Sequence, residues 1–77
     1  MLDFLNDYFT KEELVEIKNN FKGAEAFNLY ANQDSIIEII KYLKTLDLNI
    51  KDLLIEKPDI FYKELDEIKE LFIEEIN

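Results

Sequence analysis

The stretch Asp34-Ser35-Ile36-Ile37-Glu38-Ile39-Ile40-Lys41-Tyr42-Leu43-Lys44-Thr45-Leu46 decides the fold class. Ile36, Ile39, Ile40, Leu43 and Leu46 recur at spacings of three and four, which puts them on one stripe of an α-helix. A half-buried strand would alternate at two. Asn32 and Asp34 stand just before the stripe as N-cap residues. The spacing therefore predicts a helix from about Gln33 to Leu46.

The same period holds on both sides. In the first segment, Leu2 to Phe9, the residues Leu2, Leu5 and Phe9 form one stripe, with Phe4 and Tyr8 beside it. Thr10-Lys11-Glu12-Glu13 reads as a capping box, with Thr10 as N-cap and Glu13 reaching back to it. A second helix then runs from Lys11 to about Asn20, with Leu14, Ile17 and Phe21 inward. Gly23 suits a left-handed stop after it. Residues 24–31 fit either a short helix or an ordered loop pinned by Phe27 and Leu29. Beyond the central stripe, Asn49 caps a short helix from Ile50 to Glu56, which Pro58 ends. A last helix runs from about Lys63 to Ile76, with Leu65, Ile68, Phe72 and Ile76 inward and Glu67, Glu70 and Glu74 outward. With one Gly and one Pro in the chain, few strand-linking turns are available. The expectation is an all-α, compact bundle of about five short helices in a single small domain over residues 1–77.

At 77 residues, with six Phe and four Tyr, the chain sits near the lower end of what buries a self-sufficient core. Disordered acidic segments lack such aromatic and branched apolar content, so a folded domain is expected. Acids outnumber lysines 18 to 9, for a net charge of -9. His, Cys, Arg and Trp are absent. Those are the side chains that carry near-neutral acid–base, thiolate and bidentate phosphate chemistry. The lack of cysteine removes disulfide staples and fits a reducing compartment. Acids or lysines interrupt every apolar run before it reaches the roughly 20 residues of a membrane span. Met1-Leu2-Asp3-Phe4 has no basic n-region. The expected location is cytoplasmic, without a membrane. The negative charge argues against simple electrostatic binding to nucleic acid and favours basic partners, or a role in solubility with no partner.

The two halves echo each other. Glu13-Leu14-Val15-Glu16-Ile17-Lys18-Asn19-Asn20-Phe21 lies over Asp52-Leu53-Leu54-Ile55-Glu56-Lys57-Pro58-Asp59-Ile60, and Asp34-Ser35-Ile36-Ile37 over Leu65-Asp66-Glu67-Ile68. Each unit is then a short helix, a break and a longer helix: two degenerate repeats. The run from Tyr42-Leu43-Lys44-Thr45-Leu46-Asp47 through Leu48-Asn49-Ile50-Lys51-Asp52-Leu53 to Leu54-Ile55-Glu56-Lys57-Pro58-Asp59-Ile60-Phe61 resembles the helical repeat of the mitochondrial transcription termination factor family. In that family a leucine-bearing helix end, a tight turn, a short helix, then Pro and an apolar residue recur in this order. The resemblance is best over residues 34–76 and implies that local architecture. It departs from the family at Asp47, where the turn usually has Gly, and in holding about two repeats where members stack many. Family members bind nucleic acid through a basic groove, whereas this chain has no Arg and a charge of -9.

No constellation points to catalysis or to a cofactor. Asp47-Leu48-Asn49-Ile50-Lys51-Asp52 opens like a calcium loop, but that loop needs Gly at its sixth position and Glu at its twelfth, where this chain has Asp52 and Pro58. Gly23 stands alone, without a phosphate-binding glycine motif. Acids at 64, 66, 67 and 70 follow a solvated helix face, with Lys63–Glu67 and Asp66–Lys69 as candidate pairs, whereas those at 74 and 75 fall at a helix C-terminus, where the dipole does not favour negative charge. The alternative is an acidic patch for a basic partner. The aromatics exceed what one stripe per helix needs, and Phe4, Tyr8 and Tyr62, with Ile37 and Ile73 just off their core stripes, are the candidates for surplus apolar surface. The functional expectation is a non-catalytic acidic protein–protein interaction module, a small regulatory or adaptor protein. Its partner would be another protein, with a basic one favoured by charge, or a second copy, and its contact residues Phe4, Tyr8, Tyr62, Ile73, Glu64, Glu67, Glu70 and Glu74. Two other readings stay open: a nucleic-acid mimic that inhibits a basic DNA- or RNA-binding protein, and a divergent nucleic-acid-binding repeat using Lys41, Lys44, Lys51 and Lys57.

Overall fold

A computed structural model describes residues 1–76, with side chains through Phe72. Five α-helices follow in order: α1 (Lys11–Asn20), α2 (Ala24–Ala31), α3 (Gln33–Lys44), α4 (Ile50–Glu56) and α5 (Leu65–Ile76). Two 3-10 turns join them, Leu2–Leu5 before α1 and Pro58–Tyr62 between α4 and α5. Among the described residues there is no strand, so the all-α expectation holds.

The identity of one helix is corrected. The first segment is not α-helical: it makes a 3-10 turn and then irregular turns to Phe9. The amides of Asn6 and Tyr8 donate to the carbonyls of Asp3 and Leu5, three residues back. Met1 supplies no side-chain cap there. Asn6 and Asp7 are residues whose side chains compete for backbone groups and disfavour helix. Residues 24–31 supply the fifth helix instead, with Ala26 and Leu29 buried. Phe27 does not pin that stretch, because its side chain is 55% exposed.

Local chemistry explains most boundaries. Thr10 Oγ1 accepts from the Glu13 amide at 3.2 Å while Glu13 Oε1 accepts from the Thr10 amide at 2.8 Å, a complete capping box. Asn49 Oδ1 accepts from the Asp52 amide at 3.1 Å to open α4. Pro58 sits at the first position of the second 3-10 turn, where its missing N–H costs nothing.

Two punctuation residues act differently from expectation. Gly23 has φ 58 and ψ -124, and the Glu25 amide donates to the Lys22 carbonyl across it. That is the first central position of a type II′ turn, which starts α2 instead of closing α1. Asn32 lies at the start of α3 but makes no cap there. Its Nδ2 donates to the Asn28 carbonyl at 2.8 Å, closing the last turn of α2.

Helix α3 is the centre of the fold, packed against α2, α4, α5 and the second 3-10 turn. Ile36, Ile40 and Leu43 are fully buried and Ile39 is 1% exposed. Each such side chain is worth about 1.5–3 kcal/mol of transfer from water. α1 lies on α4, and the first 3-10 turn lies on α2. Leu46 is half-buried beyond the end of α3. The amides of Thr45 and Leu46 donate to carbonyls three residues back, and Asp47 then reverses the chain at φ 56. The radius of gyration is 12.1 Å, near the ~11.5 Å expected of one domain this size.

The two halves share cap register but not burial. Thr10 and Asn49 occupy equivalent positions, as do Glu13 and Asp52. Yet Val15, 59% exposed, lies over the fully buried Leu54, and buried Ile17 lies over exposed Glu56. The two short helices turn different faces to the core. Among the described residues no helix is long and apolar enough to cross a membrane.

Candidate protein-interaction surface

Phe4 and Tyr8 are half-buried and lean on the core cluster. Lys44 Nζ donates to the Tyr8 carbonyl at 2.7 Å and lies 6.0 Å from the centroid of the Phe9 ring, which ties this segment to the end of α3. The apolar side chains that do stand out lie elsewhere. Val15, Phe27, Tyr30, Tyr62 and Leu71 are all more than two-fifths exposed. Of these, only Tyr62 follows from the surplus-aromatic reading of the sequence. Leu71 was discoverable from its neighbour: Phe72 takes the core position, and adjacent helical residues point about 100° apart.

Tyr62 and Glu64 come together. With Asn32, Ser35, Glu38 and Lys63 they line a small polar cavity of about 190 Å³. Partial desolvation at the cavity edge pushes the Tyr62 phenol above its ordinary range, and the carboxylates of Glu25 and Asp59 add to the shift. Glu67 and Glu70 meet Lys63 and Leu71 in an adjoining open depression of about 430 Å³. Phe4 and Tyr8 line neither. Ile73 and Glu74 lie outside the residues whose side chains are described.

The α5 acids are not neutralised as their spacing predicts. Among the described residues, neither Lys63–Glu67 nor Asp66–Lys69 closes to 4.0 Å; the bridges present are Lys18–Asp3, Lys51–Glu16 and Lys51–Asp52. The reason is local. α5 begins at Leu65, so Lys63 sits on extended backbone before it. Lys69 swings instead over the Tyr42 ring of α3, 5.8 Å from its centroid.

A third concavity, an open groove of about 400 Å³, runs between α4, the second 3-10 turn and α5. Leu48, Leu53, Ile60, Leu71 and Phe72 make its apolar wall, while Asp52, Glu56 and Lys57 also line it. No feature of the sequence singled this groove out, because it depends on where α4, the second 3-10 turn and α5 come together. Among the described residues, no polar or charged side chain is buried and no three acidic side chains converge as metal ligands.

Comparison with protein-family models, curated proteins and solved structures finds no match to this chain. Chemistry and geometry alone therefore carry the functional reading.

Proposed function

We propose that this chain is a non-catalytic, acidic helical protein–protein interaction module, a small regulatory or adaptor protein that engages a basic protein partner. The observation that carries this reading is the outer side of α5. Glu67 and Glu70 stand exposed there, with Glu64 exposed just before its first residue, at three-residue spacing and flanked by the exposed Tyr62 and Leu71. Apolar side chains set among unneutralised acids combine a contact that excludes water with a charge that steers a cationic surface toward it.

The same row of carboxylates favours a second reading, in which the acids imitate nucleic-acid phosphates and occupy a basic DNA- or RNA-binding protein. Direct nucleic-acid binding has less support. Of Lys41, Lys44, Lys51 and Lys57, Lys44 is bonded to the Tyr8 carbonyl and Lys51 is paired with Glu16 and Asp52.

The test is a tagged pull-down from native extract, with and without nuclease, read by mass spectrometry. A stoichiometric protein that survives nuclease supports the module. An eluate emptied by nuclease overturns it in favour of nucleic acid. If the captured protein is itself a nucleic-acid binder, competition between this chain and its DNA or RNA identifies the mimic.

A further inference from the structure

The groove between α4, the second 3-10 turn and α5 has the chemistry of a peptide site. Its volume of about 400 Å³ lies within the roughly 300–1,000 Å³ typical of ligand clefts. Three of its apolar residues come from different elements: Leu53 from α4, Ile60 from the 3-10 turn and Leu71 from α5. Leu53 and Ile60 are half-buried against the core, while Leu71 is 52% exposed. A second chain laid there would therefore cover apolar surface that folding leaves in contact with water.

Charge narrows the occupant. Asp52 and Glu56 line the groove, and Glu67 and Glu70 share the next depression with Leu71. Lys57 and Lys63 oppose them, and the Lys51 ammonium already pairs with Asp52, so the carboxylates left for a partner are Glu56, Glu67 and Glu70. On a chain of net charge -9, the field over the groove attracts cations. Geometry narrows it further. Among the described residues there is no strand edge to extend, and one aromatic ring, Phe72, lines the groove. Strand addition needs the former and polyproline recognition an aromatic-lined groove, which leaves a helix in the groove.

We propose, resting on the reading of the chain as an interaction module, that this groove docks an amphipathic helix with a lysine- or arginine-rich flank. The occupant's apolar stripe seats on Leu53, Ile60 and Leu71, and its basic flank faces Glu56, Glu67 and Glu70.

The probe is a labelled Leu/Lys amphipathic peptide of about 14 residues, beside a scrambled peptide of the same composition. Binding is followed by anisotropy and by amide shift mapping on the full chain. Leu71→Glu tests the groove, and Val15→Glu adds the same charge at another exposed apolar site. The expected result is that Leu71→Glu weakens the amphipathic peptide by at least about tenfold, while Val15→Glu leaves it unchanged or tighter. Shifts should fall on residues 48–60 and 71–72. If Leu71→Glu binds equally or more tightly, the attraction is charge alone and the groove is overturned, while the module reading stands. Shifts confined to Phe27 and Tyr30 do the same by moving the site. A dimer of the free chain that buries the groove replaces the peptide with a second copy. Absence of binding by both peptides overturns the groove and the preference for basic partners together.

Discussion

Lys51 Nζ lies 2.7 Å from Glu16 Oε2, joining α4 to α1 across the surface where the two helices pack. The same ammonium is 2.7 Å from Asp52 Oδ1, and the lysine side chain is only 16% exposed. Its hydrogen bonds to Asp52 and then Glu16 hold it above the ordinary lysine range. A raised folded-state pKa stabilises the fold at every pH below the unfolded value, about 10.4, and that contribution disappears as pH climbs through the folded value. Tyr62 acts in the same direction, because the unfolded chain ionises its phenol more readily once pH passes about 10. Urea unfolding from about pH 8 to about pH 11.5 should therefore show wild-type stability falling at the alkaline end. Lys51→Met should be less stable than wild type at pH 8 and converge on it as pH rises; a constant gap would show that the ion pair is not the cause.

The capping box makes Thr10→Ala the most informative surface change. It leaves the Glu13 amide without its partner and should cost about 1 kcal/mol. For a domain of this size that is a Tm decrease of roughly 4–8 °C. Thr10→Ser should retain most of the stability, and calorimetry of the pair checks both.

Leu54 and Val15 occupy matching positions in the two halves, yet one is fully buried and the other 59% exposed. Leu54→Ala should cost about 2–5 kcal/mol, a large part of what a small domain has. Val15→Ala should stay within about 0.5 kcal/mol. Comparable losses at the two sites would mean that the halves present the same face to the core, against the burial described.

Asp47 holds the left-handed conformation, at φ 56, where α3 gives way to the loop before α4. An L-residue pays to sit there and glycine does not, although glycine loses more entropy on folding. Asp47→Gly should raise stability by about 0.5 kcal/mol, seen as a higher urea midpoint at unchanged slope.

Much of this architecture is legible in the chain because its signals are local. Thr10 with Glu13, Asn49 before Asp52, and Pro58 after α4 each act through backbone groups within three residues. Ile36, Ile39, Ile40 and Leu43 fix the central helix by period alone. The misread elements are those where tertiary context decides. Leu2, Leu5 and Phe9 carry a helical period, but Asn6 and Asp7 break it and burial of Leu2 and Leu5 needs only a single turn. Phe27, large and apolar, points outward because Ala26 and Leu29 take the face toward the core. At the candidate surface, exposure of Glu64, Glu67 and Glu70 follows from helix period. The half-buried state of Phe4 and Tyr8, and the groove beside Leu71, follow from which elements meet, which no single segment encodes.

The proposal is that exposed Glu64, just before α5, and Glu67 and Glu70, on it, select a basic protein partner. It is tested most directly by salt-graded elution of the captured protein from wild type and from the triple variant Glu64→Gln, Glu67→Gln, Glu70→Gln. These side chains are exposed, so the variant should fold as the parent does, which far-ultraviolet circular dichroism checks. The partner should leave the variant at distinctly lower salt than wild type, or not be retained on it at all. Elution at the same salt from both, or no stoichiometric protein on wild type, would contradict it.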